Sequence, residues 1–432
     1  MTRTVSDPPA EAVKSTRVPS TVWILSAIAS ASGLGYGMLG PSLPALADLY
    51  SVGAASVSLA VSGFAAGRLI TNISLTGLLK KFRLRSVLVV GLVVQSLCSV
   101  AAGLSPNFEL FVAFRSISGL GNAAFTVAGT GLMLVLTTSA QRARAMSIYF
   151  TAISLGMIAG PAIGGLVAAI DPRLPLIVYG VLLGVGSVVA FVALRGVRQV
   201  RTNDSIGSED VVPVSTWSLI RKLFRSRTFV AVMLVQLGTG WVLYGARTVV
   251  MPARLHDIGF GVGVIGLMLT VAAVAQVVAT SFGAVAGRLS FRTVTVAALV
   301  VALGVNALFG ELEALPLIVA AFIGLGLAHG LISTTAPSLL GEVPRGDSGL
   351  AVSTFWIAFD VGAIVGPYAT GALLDGAGAP AAFLSCAGVL AAALIACLLI
   401  PRKVGTASPS EPSPQIKTQD PQSQAVRSSN DD

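Results

Sequence analysis

Residues Phe355–Gly371 read FWIAFDVGAIVGPYATG, and Tyr149–Gly165, 206 residues earlier, read YFTAISLGMIAGPAIGG. The shift lays Gly156 on Gly362, Gly160 on Gly366 and Pro161 on Pro367, with Ser147 on Ser353 just before them. It also brings Gly77 of GLLKKFRLRS onto Gly283 of GAVAGRLSFR. One plan is therefore written twice along the chain, in parallel order. The copies differ in one respect. The second holds a carboxylate, Asp360, where the first has Ser154. If the run spans a bilayer, an ionised Asp near its centre costs about 3 kcal/mol, so the acid needs a partner or a task.

Composition says that the run does span a bilayer. Of 432 residues, 54% are apolar and only 11% are Asp, Glu, Lys or Arg, with 47 glycines and a mean hydropathy of +0.85. Water-soluble domains carry about 25% charged residues. Cutting the chain at every charged residue leaves long uncharged segments, among them 18–47, 86–108, 145–170, 174–194, 258–287, 293–310, 314–341 and 376–401. Allowing one internal charge adds 49–79 (Arg68), 110–141 (Arg115), 228–253 (Arg247) and 348–374 (Asp360). Since about 20 apolar residues cross a bilayer as a helix, twelve spans are expected.

Charge sets the orientation. With the N-terminus inside, internal segments hold 23 of the 28 Lys and Arg, including Lys80, Lys81, Arg83 and Arg85, while outer loops hold Arg173 and Arg254 against seven acids, among them Glu109, Asp171, Glu311 and Glu313. Both termini are expected in the cytoplasm, in a plasma-membrane protein. The net charge of +9 is then a topology and lipid signal, not a nucleic-acid footprint. No cleaved signal peptide is read in the polar first residues with Pro8 and Pro9. The expected division is a tail at 1–17, a six-helix bundle at 18–196, a linker at 197–227, a second bundle at 228–402 and a disordered tail at 403–432. Within the linker, Trp217–Phe224 has the character of a surface-lying segment.

Several chemistries are excluded. Two histidines leave no HExxH, no lysine follows a glycine so no P-loop exists, and Cys98, Cys386 and Cys397 lie in apolar runs without zinc spacing. The GxGxxG matches at Gly35–Gly40 and Gly261–Gly266 sit in or against apolar helices, where close packing explains them better than a dinucleotide. No catalytic set, metal site or cofactor is expected.

GMIAGPAIGG matches the pattern G-x-x-x-G-P-x-x-G-G at Gly156, Gly160, Pro161, Gly164 and Gly165. On it, and on FVAFRSISGLGNAA (Phe111–Ala124) with Arg115, Gly119 and Gly121, and GLGYGMLGPSLPAL (Gly33–Leu46) with Gly37, Pro41, Leu43 and Pro44, the chain resembles the major facilitator superfamily, twelve-span drug:proton antiporter type. The resemblance covers roughly residues 18–402. It implies an all-α membrane protein of two pseudo-symmetric six-helix bundles, with spans one, four, seven and ten around a cavity and spans two and eleven meeting between the halves. The family's loop motif after span two is degraded, since Lys80 or Lys81 stands where Asp belongs and Leu84 or Arg83 replaces its second glycine.

Gly156, Gly160 and Gly164 share one helix face, a groove in which a second helix can lie close, and Pro161 bends that helix. In the implied arrangement Arg115 and Arg247 face the cavity and Asp360 faces Arg68. Asp360 and Arg68 lie about ten and eleven residues from the inner ends of their spans, roughly 15 Å deep at 1.5 Å per residue. Proton coupling or gating is therefore expected at Asp360, Arg68, Arg115, which the family implicates in proton transfer, and His329, the other titratable residue in a span. Tyr36, Asn122, Phe125, Trp241, Tyr244 and Arg247 are the expected cavity residues. Three intramembrane arginines against one acid favour a neutral or anionic amphiphile as substrate. The expected function is proton-coupled efflux by a monomer. The alternatives are an uptake symporter or facilitator on the same fold, and a transporter-like sensor or scaffold.

Overall fold

The computed structural model describes residues 18–78, 82–195, 221, 223–282, 290–340 and 348–400. The terminal tails, most of the linker with all of the surface-lying segment but Arg221, Leu223 and Phe224, Lys80, Lys81 and Gly283 lie outside them. Among the described residues there are helices and turns but no β-strand. The helices are α1 (Ser20–Met38), α2 (Leu43–Tyr50), α3 (Ala54–Leu78), α4 (Leu84–Gly103), α5 (Phe108–Leu136), α6 (Ser139–Ala168), α7 (Leu174–Ala193), α8 (Arg227–Trp241), α9 (Met251–Asp257), α10 (Val262–Ser281), α11 (Phe291–Leu308), α12 (Leu315–Leu340) and α13 (Ser348–Leu398).

Eleven helical stretches among the described residues are long and apolar enough to cross a membrane. The sequence leads one to expect twelve, and the difference lies at the end of the chain. Segments 348–374 and 376–401 run on as one hydrogen-bonded helix, α13, interrupted at Gly378. There φ is 81° and ψ 175°, a backbone conformation open to glycine and closed to side chains with a Cβ. Each arm is long enough to cross on its own.

Two other crossings are irregular, each at proline. In Ser20–Tyr50 a single 3-10 turn, Gly40–Ser42, separates α1 from α2. Pro41 and Pro44 withhold N–H donors from the ladder, and Ser42 Oγ donates to Leu39 O at 2.8 Å. In Arg227–Asp257 the chain between α8 and α9 is wound as a π-helix over Val242–Val250, ahead of Pro252. Thr248 Oγ1 donates to Leu243 O, five residues back, at 2.9 Å. Such wide turns cluster at functional positions, and Arg247 sits in this one.

Two buried apolar clusters dominate. One gathers Val22, Leu88, Phe125, Tyr149 and Leu183 from the first seven helices, the other Phe229, Val250, Phe322, Phe383 and Leu390 from the later ones. A smaller third cluster joins Leu39, Val61 and Phe111 to Val249. Large apolar side chains such as Leu97, Val188 and Ile395 remain exposed on the flanks, a pattern suited to lipid contact.

α1–α7 meet α8–α13 mainly along two seams, α3 against α13 and α6 against α10. Gly165 and Gly266 touch backbone to backbone in the second seam. In the first, Gly371 packs on Ala54 and Ala55, and Asp375 accepts hydrogen bonds from both their backbone N–H groups at 2.8 Å. A carboxylate from α13 thus caps the N-terminus of α3 and faces its positive dipole end. Losing such a cap costs about 1 kcal/mol. Asp375→Ala is therefore expected to move the balance away from this closed arrangement about fivefold. Spin labels at Ser51 and Ala377 would read this as a larger long-distance population in pulsed electron resonance.

Candidate functional site

The α3–α13 seam brings the two opposite charges together. Arg68 Nη2 donates to Asp360 Oδ1, forming an ion pair between side chains 292 residues apart in sequence. Asp360 is 3% exposed. The Phe359 ring lies 5.9 Å from the Arg68 guanidinium carbon, and the Tyr244 ring stands edge-on to Phe359 at the same centroid distance. Burying both ions is costly, and the pair is tenable only because each supplies the other's counter-charge.

The other two intramembrane arginines have no carboxylate within ion-pairing distance among the described residues. Arg115, on α5, is 4% exposed and lies over the Phe64 ring, its guanidinium carbon 4.6 Å from the centroid. Its Nε has no hydrogen-bond partner. Arg247 is 8% exposed, so it does not reach out to the membrane surface. α10 holds it instead: Nη1 donates to Gln276 Oε1 at 2.7 Å and Nη2 to Leu269 O at 3.3 Å.

Two small adjoining cavities lie between these arginines. One, about 60 Å3, is lined by Tyr36, Gly37, Pro161, Tyr244, Arg247 and Thr248 among others. The second, about 20 Å3, is lined by Tyr36, Phe64, Arg115, Tyr244 and Thr248 among others. Tyr36, Tyr244 and Thr248 belong to both, so the arginines approach one region from opposite sides. Tyr36 Oη donates to Asn122 Oδ1 at 2.7 Å, and Asn122 Nδ2 donates to Ser32 Oγ at 3.3 Å. Tyr36→Phe should free Asn122 and cost about 1 kcal/mol, visible as a small fall in thermal stability without loss of folded yield.

Not every expected cavity residue is at these cavities. Phe125 is buried in the core against α4, where Gly91 touches its backbone N. Trp241 packs on Gly362 and Gly366, and its Nε1 is without a partner. Asn122 reaches the region only through Tyr36. His329, on α12, is 1% exposed and neither ring nitrogen has a hydrogen-bond partner. It does not line either cavity. Thr248, Phe64 and Gln276 were not singled out from sequence. Gln276 was the most visible of them, an amide inside the uncharged segment 258–287, and a polar side chain at that depth marks a site by default.

The glycine motif faces its own neighbour. Gly156 touches Ser30 O, Gly160 touches Leu34 O and Gly37, and Gly164 touches Met38, all on α1, while the Pro161 ring lies on Gly37. Gly165 reaches across to Val262 and Gly266 of α10, and the Pro161 carbonyl also lies on Gly266. The same arrangement recurs with α13: Gly362 and Gly366 lie on Leu237 and Trp241 of α8, while Gly371 reaches α3. Pro367 follows within α13; Pro41 lies within the 3-10 turn that ends α1, and Pro44 lies just after it in the first turn of α2.

A larger cavity of about 600 Å3 opens at the end of the bundle expected to be external, lined by Asp48, Asp257, Glu311 and Asp375 with Arg254 and His256. His256 Nε2 stands 3.9 Å from Asp48 Oδ2. No group of three or more metal-ligating side chains occurs among the described residues, and the three cysteines are free.

Known proteins give this arrangement its context. The chain is 23% identical over 352 residues to Multidrug resistance protein 1 of Bacillus subtilis, covering 79% of this chain and 86% of that one. It is 25% identical over 351 residues to the quinolone resistance protein NorA of Staphylococcus aureus, covering 79% and 87%. The match to Multidrug resistance protein 2 of B. subtilis, 24% identical, spans 57% of this chain and less than two thirds, 61%, of the relative. The nucleoside transporter NupG superimposes with a TM-score of 0.74 at 12% identity over 88% of this chain. A bacterial homologue of the human lysosomal transporter Spinster, inward-facing and unoccupied, gives 0.70 at 15% over 87%. At such identities these structures speak for the fold alone. The sequence profile described as Major Facilitator Superfamily matches residues 25–310 and again 237–430. A membrane-spanning helical bundle with a charged pair at its central seam and that profile along nearly its whole length has one assignment: the chain belongs to the major facilitator superfamily, and is a multi-pass membrane transporter rather than an enzyme.

Proposed function

We propose that the chain exports small lipophilic compounds in exchange for protons, by alternating access between two six-helix halves, 18–196 and 228–402, that together make twelve crossings when the two arms of α13 are counted separately. The observation that carries this reading is the Arg68–Asp360 pair in the seam between α3 and α13. The central cavities, about 60 and 20 Å3, are far below the roughly 300–1,000 Å3 of a drug-sized pocket. Loading them requires the halves to part, and parting α3 from α13 separates the pair. A proton on Asp360 removes the attraction that opposes this step, which links protonation to opening. Asp360 can then serve as the proton carrier, with Tyr36 and Tyr244 as the aromatic walls shared by both halves. Arg115 keeps its own proton and acts by tuning its surroundings. A single chain contains every part, so a monomer at the plasma membrane with both termini in the cytoplasm suffices. The names of the bacterial relatives, multidrug and quinolone resistance proteins, support drug-like substrates and outward transport.

Direction is tested in intact cells preloaded with a fluorescent lipophilic dye. Collapsing the proton gradient with an ionophore is expected to raise dye retention severalfold in cells carrying the chain and not in those lacking it. Lower accumulation on collapse would replace export by proton-driven uptake. No change with any compound would leave a scaffold.

A further inference from the structure

The charges of the central region do not balance. Arg68 has Asp360, but Arg115 and Arg247 face the same pair of small cavities with no acid partner among the described residues. Asp360 is the one acid within the expected spans. Two net positive charges therefore remain in a low-dielectric interior, where an unpaired ion is costly unless a counter-charge arrives. The two arginines are not equally satisfied. Arg247 spends two donors on Gln276 and Leu269. Arg115 has the face of Phe64 against its guanidinium and no partner on its Nε. A guanidinium carries five N–H donors in a planar fork that matches a carboxylate or sulfonate. Tyr36 and Tyr244, shared by both cavities, offer aromatic surface beside that fork.

We infer that the substrate is an organic anion: its acid group is received by Arg115, with Arg247 completing the positive field from the other half, and its aromatic body lies against Tyr36 and Tyr244. This deepens the transport reading above and rests on the same cavities. It predicts discrimination by charge at constant shape. An anion gains a charge-assisted, fork-matched contact, while a cation of the same skeleton meets two unneutralised guanidinium groups.

Fluorescein and rhodamine 6G share a xanthene skeleton and carry opposite charge, so they are suitable probes. Their binding to the purified full-length chain in lipid nanodiscs is read by fluorescence anisotropy. Fluorescein is expected to bind at least tenfold more tightly than rhodamine 6G. Arg115→Gln should weaken fluorescein at least tenfold and, by removing one repelling guanidinium, bind rhodamine 6G no more weakly than the unaltered chain does. Arg115→Lys, which keeps the charge but loses the fork, should weaken it about threefold, and gives a second readout should the glutamine variant fold poorly. Equal or tighter binding of rhodamine 6G to the unaltered chain overturns the inference, as does a fluorescein preference that survives Arg115→Gln unchanged. Binding and direction fail separately. A chain that prefers fluorescein but retains no dye when the gradient is collapsed loses the exporter reading and keeps the anion site. A chain that exports rhodamine 6G and ignores fluorescein does the reverse.

Discussion

Asp360→Asn is expected to abolish proton-driven transport and to weaken the closed state shown by the structure. Removing one member of a buried pair leaves the other as an uncompensated ion, which costs about 3–5 kcal/mol. The lower end applies, since Phe359 and Tyr244 remain beside Arg68. About 3 kcal/mol is a factor of roughly 150 in an equilibrium, enough to take a closed state from dominant to minor. Arg68→Gln should do the same from the other side, leaving a buried carboxylate without its counter-charge. The double variant Arg68→Gln/Asp360→Asn separates structure from coupling. With both charges gone, most of the lost thermal stability should return, because neutral partners of similar shape leave no buried ion. Uphill, gradient-driven transport should stay at background. A coupling energy above about 1 kcal/mol in the double-mutant cycle would establish the contact in the folded protein. If the double variant drives substrate uphill as well as the unaltered chain, the pair is structural and the carrier of the proton lies elsewhere.

Gly156→Val carries an expected effect of similar size by a different route. A Cβ at Gly156 would run into the backbone carbonyl of Ser30 and stand 2.9 Å from Leu34 N. Neither atom belongs to a flexible side chain, so α1 must move bodily from α6. Ordinary overpacking costs about 1–3 kcal/mol, and a backbone collision along a close helix pair lies at or beyond the top of that range. Folded yield should fall steeply, measured by size-exclusion chromatography in detergent, and even Gly156→Ala should show a loss. Gly388→Val is the control: a Cβ there meets nothing within 4 Å, and little change is expected. Similar losses from both substitutions would mean that glycine content, rather than this contact, is what matters.

The crossings were legible in the sequence because a helix that crosses lipid is decided locally, by the length of an uncharged run. That is why the expected spans coincide with helices almost everywhere. The exception proves the locality of the rule. Asp375 divides two apolar runs on paper, but it does not break a helix; the break falls at Gly378, where the backbone turns to positive φ. The repeat was legible too, since Gly156, Gly160 and Pro161 keep their spacing in Gly362, Gly366 and Pro367. What those glycines face was not. Four of the five motif positions, Gly156, Gly160, Pro161 and Gly164, seat α6 on α1 within the same half, while Gly165 and the Pro161 carbonyl meet Gly266 across the seam. Arg247 was expected at the cavity, but the partners that hold it there, Gln276 and Leu269 of α10, were not legible. Phe125 and Trp241 looked like cavity aromatics and are taken up by helix packing.

By itself, then, the sequence determined the spans, the doubled motif, and an interior with three arginines and one acid. Hydropathy and spacing act over a few turns of one helix, and they need no knowledge of the neighbours. Only the tertiary structure decided the partners: Asp360 with Arg68, Gln276 with Arg247, and no carboxylate for Arg115 among the described residues. The first two pairings set together side chains 292 and 29 positions apart. Which faces meet is fixed by the packing of whole helices, and a charge acquires its chemistry from the counter-charge or the want of one that such packing brings to it.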